Sequence, residues 1–205
     1  MNNTDLVSLA LFCFVASITP GPNNLMLMSS GLTYGMRRTL PHMIGVALGF
    51  MLMVLLVGLG INALFAIFPW LETFLKIVSI LYLLWLAWKI ATSGVVRRAN
   101  GSSGKPMTFM QAASFQWVNP KAWMMAVTAV AVYVQASQFA LDLAVVTLIF
   151  GVINLPCVAV WASFGTLLRR LVDNPKIMHA INIGMAIALV ASLAPEVRQL
   201  AALVH

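Results

Sequence analysis

The residues best suited to chemistry are Thr19-Pro20-Gly21-Pro22-Asn23-Asn24, which lie inside a long apolar run. Proline has no N–H group and clashes with the carbonyl four residues earlier, so this stretch breaks a helix. Within a bilayer, broken backbone survives only where it is buried in protein or lines a wet cavity. The half-helix ending near Ile18 offers carbonyls to an ammonium group, and the half-helix starting near Asn23 offers N–H groups to a carboxylate. The pattern predicts a binding site for a zwitterion, and the alternative is a kinked helix whose prolines only shape packing.

A second candidate, Asn119-Pro120-Lys121, interrupts a later apolar run. Pro120 frees the carbonyl of Gln116, and Asn119 could face a ligand or satisfy the broken turn. Lys121 could be a counter-charge for the substrate, or it could extend its ammonium group to lipid headgroups. Gln116 is a further binding candidate, and so is Asn154, for which the alternative is a local hydrogen bond at a simple proline kink. We expect the substrate ammonium group to rely on carbonyls freed by the prolines, with asparagine side chains as partners.

The composition places these breaks in a membrane. Of the 205 residues, 61% are hydrophobic and 8% are charged, and the mean hydropathy is +0.96. That length suffices for about six spans of ~20–25 residues. Apolar runs cover approximately residues 6–35, 43–68, 71–91, 108–134, 143–168 and 177–194. We therefore predict an all-α integral membrane protein with six transmembrane helices.

The two breaks fall in the first and fourth predicted spans, so each opens a group of three helices. Three spans per group invert the second group, which is the inverted-repeat plan of many secondary transporters. We predict a single domain, 1–205, with a first half at 6–92, a cytoplasmic linker at 93–107 and a second half at 108–197. No separate extramembrane domain and no cleavable signal peptide are expected.

The distribution of charge predicts the orientation. Nine of the twelve basic residues fall in the loops after the first, third and fifth spans. By the positive-inside rule these loops are cytoplasmic, and both termini are then periplasmic. Four of the five acidic residues fall on the opposite side. The net charge of +7 therefore indicates topology, and nucleic acid is not expected as a partner.

The remaining reactive residue types give no further site. Cys13 and Cys157 lie in separate runs without CxxC spacing and are interpreted as packing residues, and the three histidines, His42 among them, form no metal-spaced cluster. Neither a metal nor another cofactor is predicted. Gly45 and Gly49, with Gly58 and Gly60 further along, are expected to permit close helix contact. The tryptophans, including Trp161, are interpreted as interface or packing residues, with gating as the alternative.

The chain resembles the LysE/RhtB family of amino-acid exporters. The resemblance rests on four stretches: 19–24 with Ser29-Ser30-Gly31 and Gly35, 45–50, 82–91 and 115–121. It covers most of the chain and points to the branch that exports cysteine and O-acetylserine. It implies six helices, the bacterial inner membrane, and amino-acid efflux driven by the proton gradient. The family motif positions correspond here to Pro20, Gly21, Pro22, Asn23, Asn119, Pro120 and Lys121.

These observations favour a secondary active exporter of small neutral amino acids or their derivatives, of the cysteine/O-acetylserine or homoserine/threonine type, working by alternating access. No Asp or Glu falls in the middle of a span, so the group that would couple transport to protons is not readable, and a homodimer stays open. The alternatives are a membrane thiol/redox conductor and a channel or scaffold without active transport. An enzyme is not expected, because the spans lack a plausible constellation of nucleophile, base and acid.

Overall fold

The computed structural model describes residues 1, 3–61, 67–92, 105–171, 174–194 and 197–198. Within these ranges the chain forms α-helices and short 3-10 or π-helical turns, and no strand. The α-helices are α1 (Asn3–Ile18), α2 (Pro22–Tyr34), α3 (Met36–Leu56), α4 (Pro69–Ala91), α5 (Phe109–Phe115), α6 (Pro120–Tyr133), α7 (Phe139–Leu171) and α8 (Pro175–Ala191). A π-helical turn, Val57–Ile61, follows α3, and 3-10 turns at Gln116–Val118 and Ala136–Gln138 precede α6 and α7. The all-α prediction is confirmed.

The helices are long and apolar enough for a multi-pass membrane protein. Met36–Gly60, Thr73–Ala91 and Ala136–Arg169 each have the length and hydropathy of a span. Helices α1 and α2 meet the same criteria only as a pair bent by 54°, the geometry of a broken span or a re-entrant loop, whereas the apolar segment Lys176–Ala191 is shorter. Large apolar side chains remain exposed along these helices, as lipid contact requires. The count of six spans and the inverted repeat stay predictions.

The second predicted span, 43–68, corresponds to α3, and α3 begins earlier than predicted. Gly35 ends α2 with φ of 78°, a backbone conformation that glycine adopts readily. Helix α3 follows at once from Met36, so Arg37, Arg38 and Pro41 lie within it. Residues 62–66, most of the predicted linker (93–104) and the C-terminal end fall outside the described residues.

Helix α2 is held against α7 by close contacts at two glycines. A Cβ atom at Gly31 would meet the carbonyl of Ala162, and one at Gly165 would meet the carbonyl of Met28. Gly45 and Gly49 likewise bring α3 against α5, which confirms the predicted helix contact, and a Cβ at Gly58 would meet the Leu143 side chain. At Gly60 no described atom lies within 4 Å of the ideal Cβ, so the predicted contact is not found in the described part of the chain, and the φ of 99° is what favours glycine there.

An aromatic cluster connects the helices that surround the breaks. The rings of Phe50 in α3 and Phe150 in α7 meet edge to face at 5.0 Å, and Phe12 in α1 lies 6.0 Å from Phe150. Phe50 and Phe150 are buried. Edge-to-face packing of this kind fixes the relative positions of α1, α3 and α7.

Candidate functional site

The first break lies between Ile18 and Pro22. Pro22 occupies the first position of α2, where its missing N–H group costs nothing. Gly21 has φ of −176°, which any residue can adopt, so the backbone conformation itself does not require glycine. A Cβ atom there would lie 2.8 Å from Cδ of Lys121. The second break therefore packs directly on the first.

The backbone carbonyls freed by the prolines already accept hydrogen bonds from the protein. The carbonyl of Ala16 accepts from Thr19 Oγ1 at 3.2 Å, and that of Ile18 accepts from Trp161 Nε1 at 3.0 Å. At the second break, Asn119 N donates to the carbonyl of Gln116 at 3.2 Å. The backbone carbonyls that were expected to bind the substrate ammonium group are thus partly satisfied by the protein itself.

Asn24 stabilises the first break itself. Its Nδ2 donates to the carbonyls of Ser17 and Thr19, both at 2.8 Å, and its side chain is buried. These bonds join the start of α2 to the end of α1. The amide donors that the sequence offered to a ligand at this position are occupied by backbone.

Asn23 and Gln116 connect the two breaks. Asn23 Nδ2 donates to Gln116 Oε1 at 2.8 Å, and Gln116 Nε2 donates back to Asn23 Oδ1 at 3.2 Å. Gln116 Nε2 also donates to the carbonyl of Ala112 at 2.9 Å, and the side chain is fully buried. The pair links the start of α2 to the 3-10 turn that follows α5.

Lys121 places its ammonium group at the end of α1. Nζ donates to the carbonyl and to Oγ1 of Thr19, both at 2.8 Å, and to the carbonyl of Pro20 at 3.4 Å. A cation is favoured at a helix C-terminus by the helix dipole. None of the acidic residues that the structure describes forms an ion pair with Lys121. Its charge is therefore met by dipoles alone, and the side chain does not extend to lipid headgroups.

Two asparagines present acceptors without partners. Asn154 Nδ2 donates to Ser17 Oγ at 3.1 Å, but neither its Oδ1 nor the Oδ1 of Asn119 has a partner within the described part of the chain. Both side chains are at most 5% exposed. A buried acceptor without a donor costs free energy, so each such group in a native structure calls for a water or a ligand.

These groups meet at a small polar cavity of about 20 Å³, room for about one water molecule. It is lined by the predicted site residues Gly21, Asn23, Asn24, Asn119, Lys121 and Asn154, together with Ala16, Ser17, Phe50, Ala122, Met125 and Val158. Pro20, Pro22 and Pro120 line instead a neighbouring open cleft of about 470 Å³, which reaches Ala191 and Ser192 at the end of α8. Thr19 and Gln116 are absent from both linings, and Gly21, Lys121 and Met125 lie between the two spaces.

A family model for the LysE type translocator matches residues 14–194. The chain belongs to this family. The cysteine/O-acetylserine efflux protein of Escherichia coli (strain K12) is 32% identical over 195 residues, 93% of this chain and 96% of the relative. The protein of the same name from Escherichia coli O139:H28 (strain E24377A / ETEC) is 33% identical over 176 residues, 83% of this chain and 87% of the relative. No solved structure matches.

Two residues of this LysE type translocator hold the first break or the candidate site in place although the sequence did not point to them. Ser17 binds Asn154, and Trp161 caps the end of α1 from α7, although its pattern indicated interface or packing. The only available signal was that the last turn of α1 must find donors for its carbonyls. Which tertiary neighbour supplies them is not encoded locally.

The cysteines and the metal-ligating residue types give no further site within the described ranges. Cys13 and Cys157 are both buried and free. No group of three or more metal-ligating side chains occurs within the described ranges. The polar cavity between the two breaks is thus the candidate site.

Proposed function

We propose that this translocator exports small zwitterionic amino acids, cysteine and O-acetylserine among them, across the bacterial inner membrane. The observation that supports this most directly is the cavity between the two breaks, which faces a lysine ammonium group and two unpartnered asparagine acceptors. Opposite charges on a ligand need complementary groups on opposite sides. The names of the relatives supply the substrate class.

The substrate carboxylate binds between Lys121 and the start of α2. No side chain caps the first turn of α2, and none caps that of α6, so both helix starts keep N–H groups for an anion. Lys121 Nζ donates three hydrogen bonds to backbone and hydroxyl oxygens, and the longest of these is 3.4 Å. That longest bond is the one that a carboxylate replaces at least cost, because a charged acceptor binds more strongly than a carbonyl.

The substrate ammonium group binds Oδ1 of Asn119 and Oδ1 of Asn154. Neutral acceptors hold a cation less tightly than a carboxylate would, and no Asp or Glu lines the cavity among the described residues. Each hydrogen bond of this kind contributes about 1.5–3 kcal/mol at most. We therefore expect a substrate affinity in the high-micromolar to millimolar range, about −4 to −6 kcal/mol.

Transport requires alternating access. A cavity of about 20 Å³ cannot hold an amino acid, so the site must open to load and to release. Gly21, Lys121 and Met125 separate it from the open cleft near the end of α8, and they form the barrier that moves. Contacts of α3 with α7 and of α4 with α8 support two related halves that rock against each other.

Uptake of labelled O-acetylserine and cysteine into inverted membrane vesicles tests the proposal. We expect uptake that saturates with substrate and rises when the vesicle interior is acidified, because an antiporter exchanges substrate for protons. Vesicles without the protein are the control. Saturable uptake that does not depend on the pH gradient would contradict proton coupling but remain consistent with export. Absence of uptake of any small amino acid would contradict the export function.

The proposed orientation has both termini in the periplasm. A reporter that is active only in the periplasm should be active after residue 205 and silent within 101–104. Both positions lie outside the described residues. The reverse pattern would contradict the arrangement derived from the basic loops.

The redox alternative is tested through the cysteines. A redox conductor needs thiols that exchange electrons, whereas Cys13 and Cys157 are buried and free. A Cys13→Ala, Cys157→Ala variant should retain most of the export activity, measured in the same vesicles. Complete loss of activity at normal membrane levels would favour the redox reading.

A further inference from the structure

A second polar cavity of about 170 Å³ lies at the other end of α2. It opens between the last turns of α2 and α4 and the segment before α5. Its polar lining comes from Ser29, Ser30, Thr33, Tyr34, His42, Lys89 and Lys105. At 1.5 Å per residue, Ser30 is about 10 Å along α2 from Asn23. The candidate site between the two breaks (the central site) therefore lies at the start of this helix, and the second cavity lies at its end.

His42 is the buried polar group of this cavity. The side chain is 1% exposed, and its Nδ1 lies 3.3 Å from Ser30 Oγ. Its Nε2 has no hydrogen-bond partner among the residues described. If the Ser30 hydroxyl donates to Nδ1, the ring proton is on Nε2, which then offers a donor without an acceptor. A ligand atom that accepts a hydrogen bond is what this position lacks.

The charges around the cavity have one sign. Lys89 and Lys105 line it, and no acidic residue does so among the described residues. The Lys89 ammonium group lies 4.6 Å from the centroid of the Trp85 ring, which holds it near the cavity without neutralising it. A cavity with two cations and a hydrogen-bond donor from His42 Nε2 fits an anionic group.

We infer that this cavity is a loading vestibule that binds the carboxylate of the substrate before the substrate reaches the central site. The inference rests on the proposed export function and deepens it. The vestibule lies on the side of Arg37 and Arg38, which the positive-inside rule makes cytoplasmic. An exporter collects its substrate from that side. Two cations at the entrance raise the local concentration of carboxylates, an effect that salt weakens.

The test is a Lys89→Met, Lys105→Met variant in inverted vesicles, where the vestibule faces the medium. Methionine keeps the length of each side chain and removes its charge. We expect the KM for O-acetylserine to rise at least threefold and kcat to change less than twofold.

The KM of the unaltered protein should rise with added salt, and that of the variant should not. Lys89→Arg, Lys105→Arg should restore the KM, and Lys176→Met, at an exposed position on the same side, should leave it unchanged.

A second variant tests the buried ring. His42→Gln removes the ring and keeps an amide donor, so transport of O-acetylserine should survive with a raised KM.

The carboxamide of the substrate, which lacks the carboxylate, should show the same KM with the lysine variant and the unaltered protein. An equal or larger effect of the lysine substitutions on the carboxamide than on O-acetylserine would contradict carboxylate binding.

The anion could also be the phosphate of a lipid headgroup, and reconstitution separates the two sources. In liposomes of phosphatidylcholine alone and in liposomes with added phosphatidylglycerol, we expect the same rise in KM for the lysine variant. A rise seen only with phosphatidylglycerol would mean that the cavity binds lipid and would overturn the inference. Normal export with an unchanged KM in both lipids would also overturn it, whereas loss of export by the unaltered protein would refute the proposed function itself.

Discussion

Removal of the Lys121 charge separates a functional role of this residue from a structural one. In Lys121→Met the three hydrogen bonds to Thr19 and Pro20 are lost. The Thr19 carbonyl still accepts from Asn24, and Pro20 lines the open cleft, where water can replace the longest of the lost bonds. The free energy of unfolding should therefore fall by less than about 3 kcal/mol, the contribution of one hydrogen bond to a charged group.

The effect on transport should be much larger. A hydrogen bond between charged groups contributes about 1.5–3 kcal/mol, and each 1.4 kcal/mol is about a tenfold change in affinity. The KM for a carboxylate substrate should rise about 10- to 100-fold in Lys121→Met. A substrate carboxamide has no negative charge for Lys121 to bind, so its KM should change less than threefold.

Initial rates of uptake into inverted vesicles, across a range of substrate concentrations, measure this difference. Membrane level is determined in parallel, and Lys176→Met serves as a control for the loss of one basic residue. Equal changes in KM for the carboxylate and the carboxamide would refute the assignment of Lys121 to the carboxylate. A loss of stability above about 3 kcal/mol with unchanged KM would make Lys121 a purely structural link between the breaks.

Two further predictions concern the packing that holds the site. A double-mutant cycle of Asn23→Ala and Gln116→Ala is measured by reversible unfolding in bicelles. The coupling energy should be about 0.6–1.7 kcal/mol, because each side chain donates a hydrogen bond to the other. Additive effects of the two single substitutions would contradict the pairing. Gly165→Ala should lower the free energy of unfolding by about 1–3 kcal/mol through overpacking between α2 and α7, whereas Gly184→Ala, where the ideal Cβ meets no described atom within 4 Å, should not. Equal effects of the two glycine substitutions would refute the close contact.

The sequence determined the helical class, the membrane environment and the location of both breaks. These features follow from local chemistry. Proline removes a donor wherever it stands, and a run of apolar residues has the same length in any fold. The family followed from the motifs at the same two breaks, and the family match over residues 14–194 confirmed it.

Only the tertiary structure decided which polar groups are already satisfied and which are free. Asn23 and Asn24 look equivalent in the sequence, yet Asn24 binds the backbone of the first break and Asn23 binds Gln116 across 93 positions. Trp161 in α7 caps the end of α1 because Gly31 and Gly165 let α2 and α7 approach closely. A hydrogen bond between distant residues depends on how whole helices pack, and that packing is set by the shapes of many side chains together. The acceptors of Asn119 and Asn154, like Nε2 of His42, could be recognised as free only when their neighbours were in place.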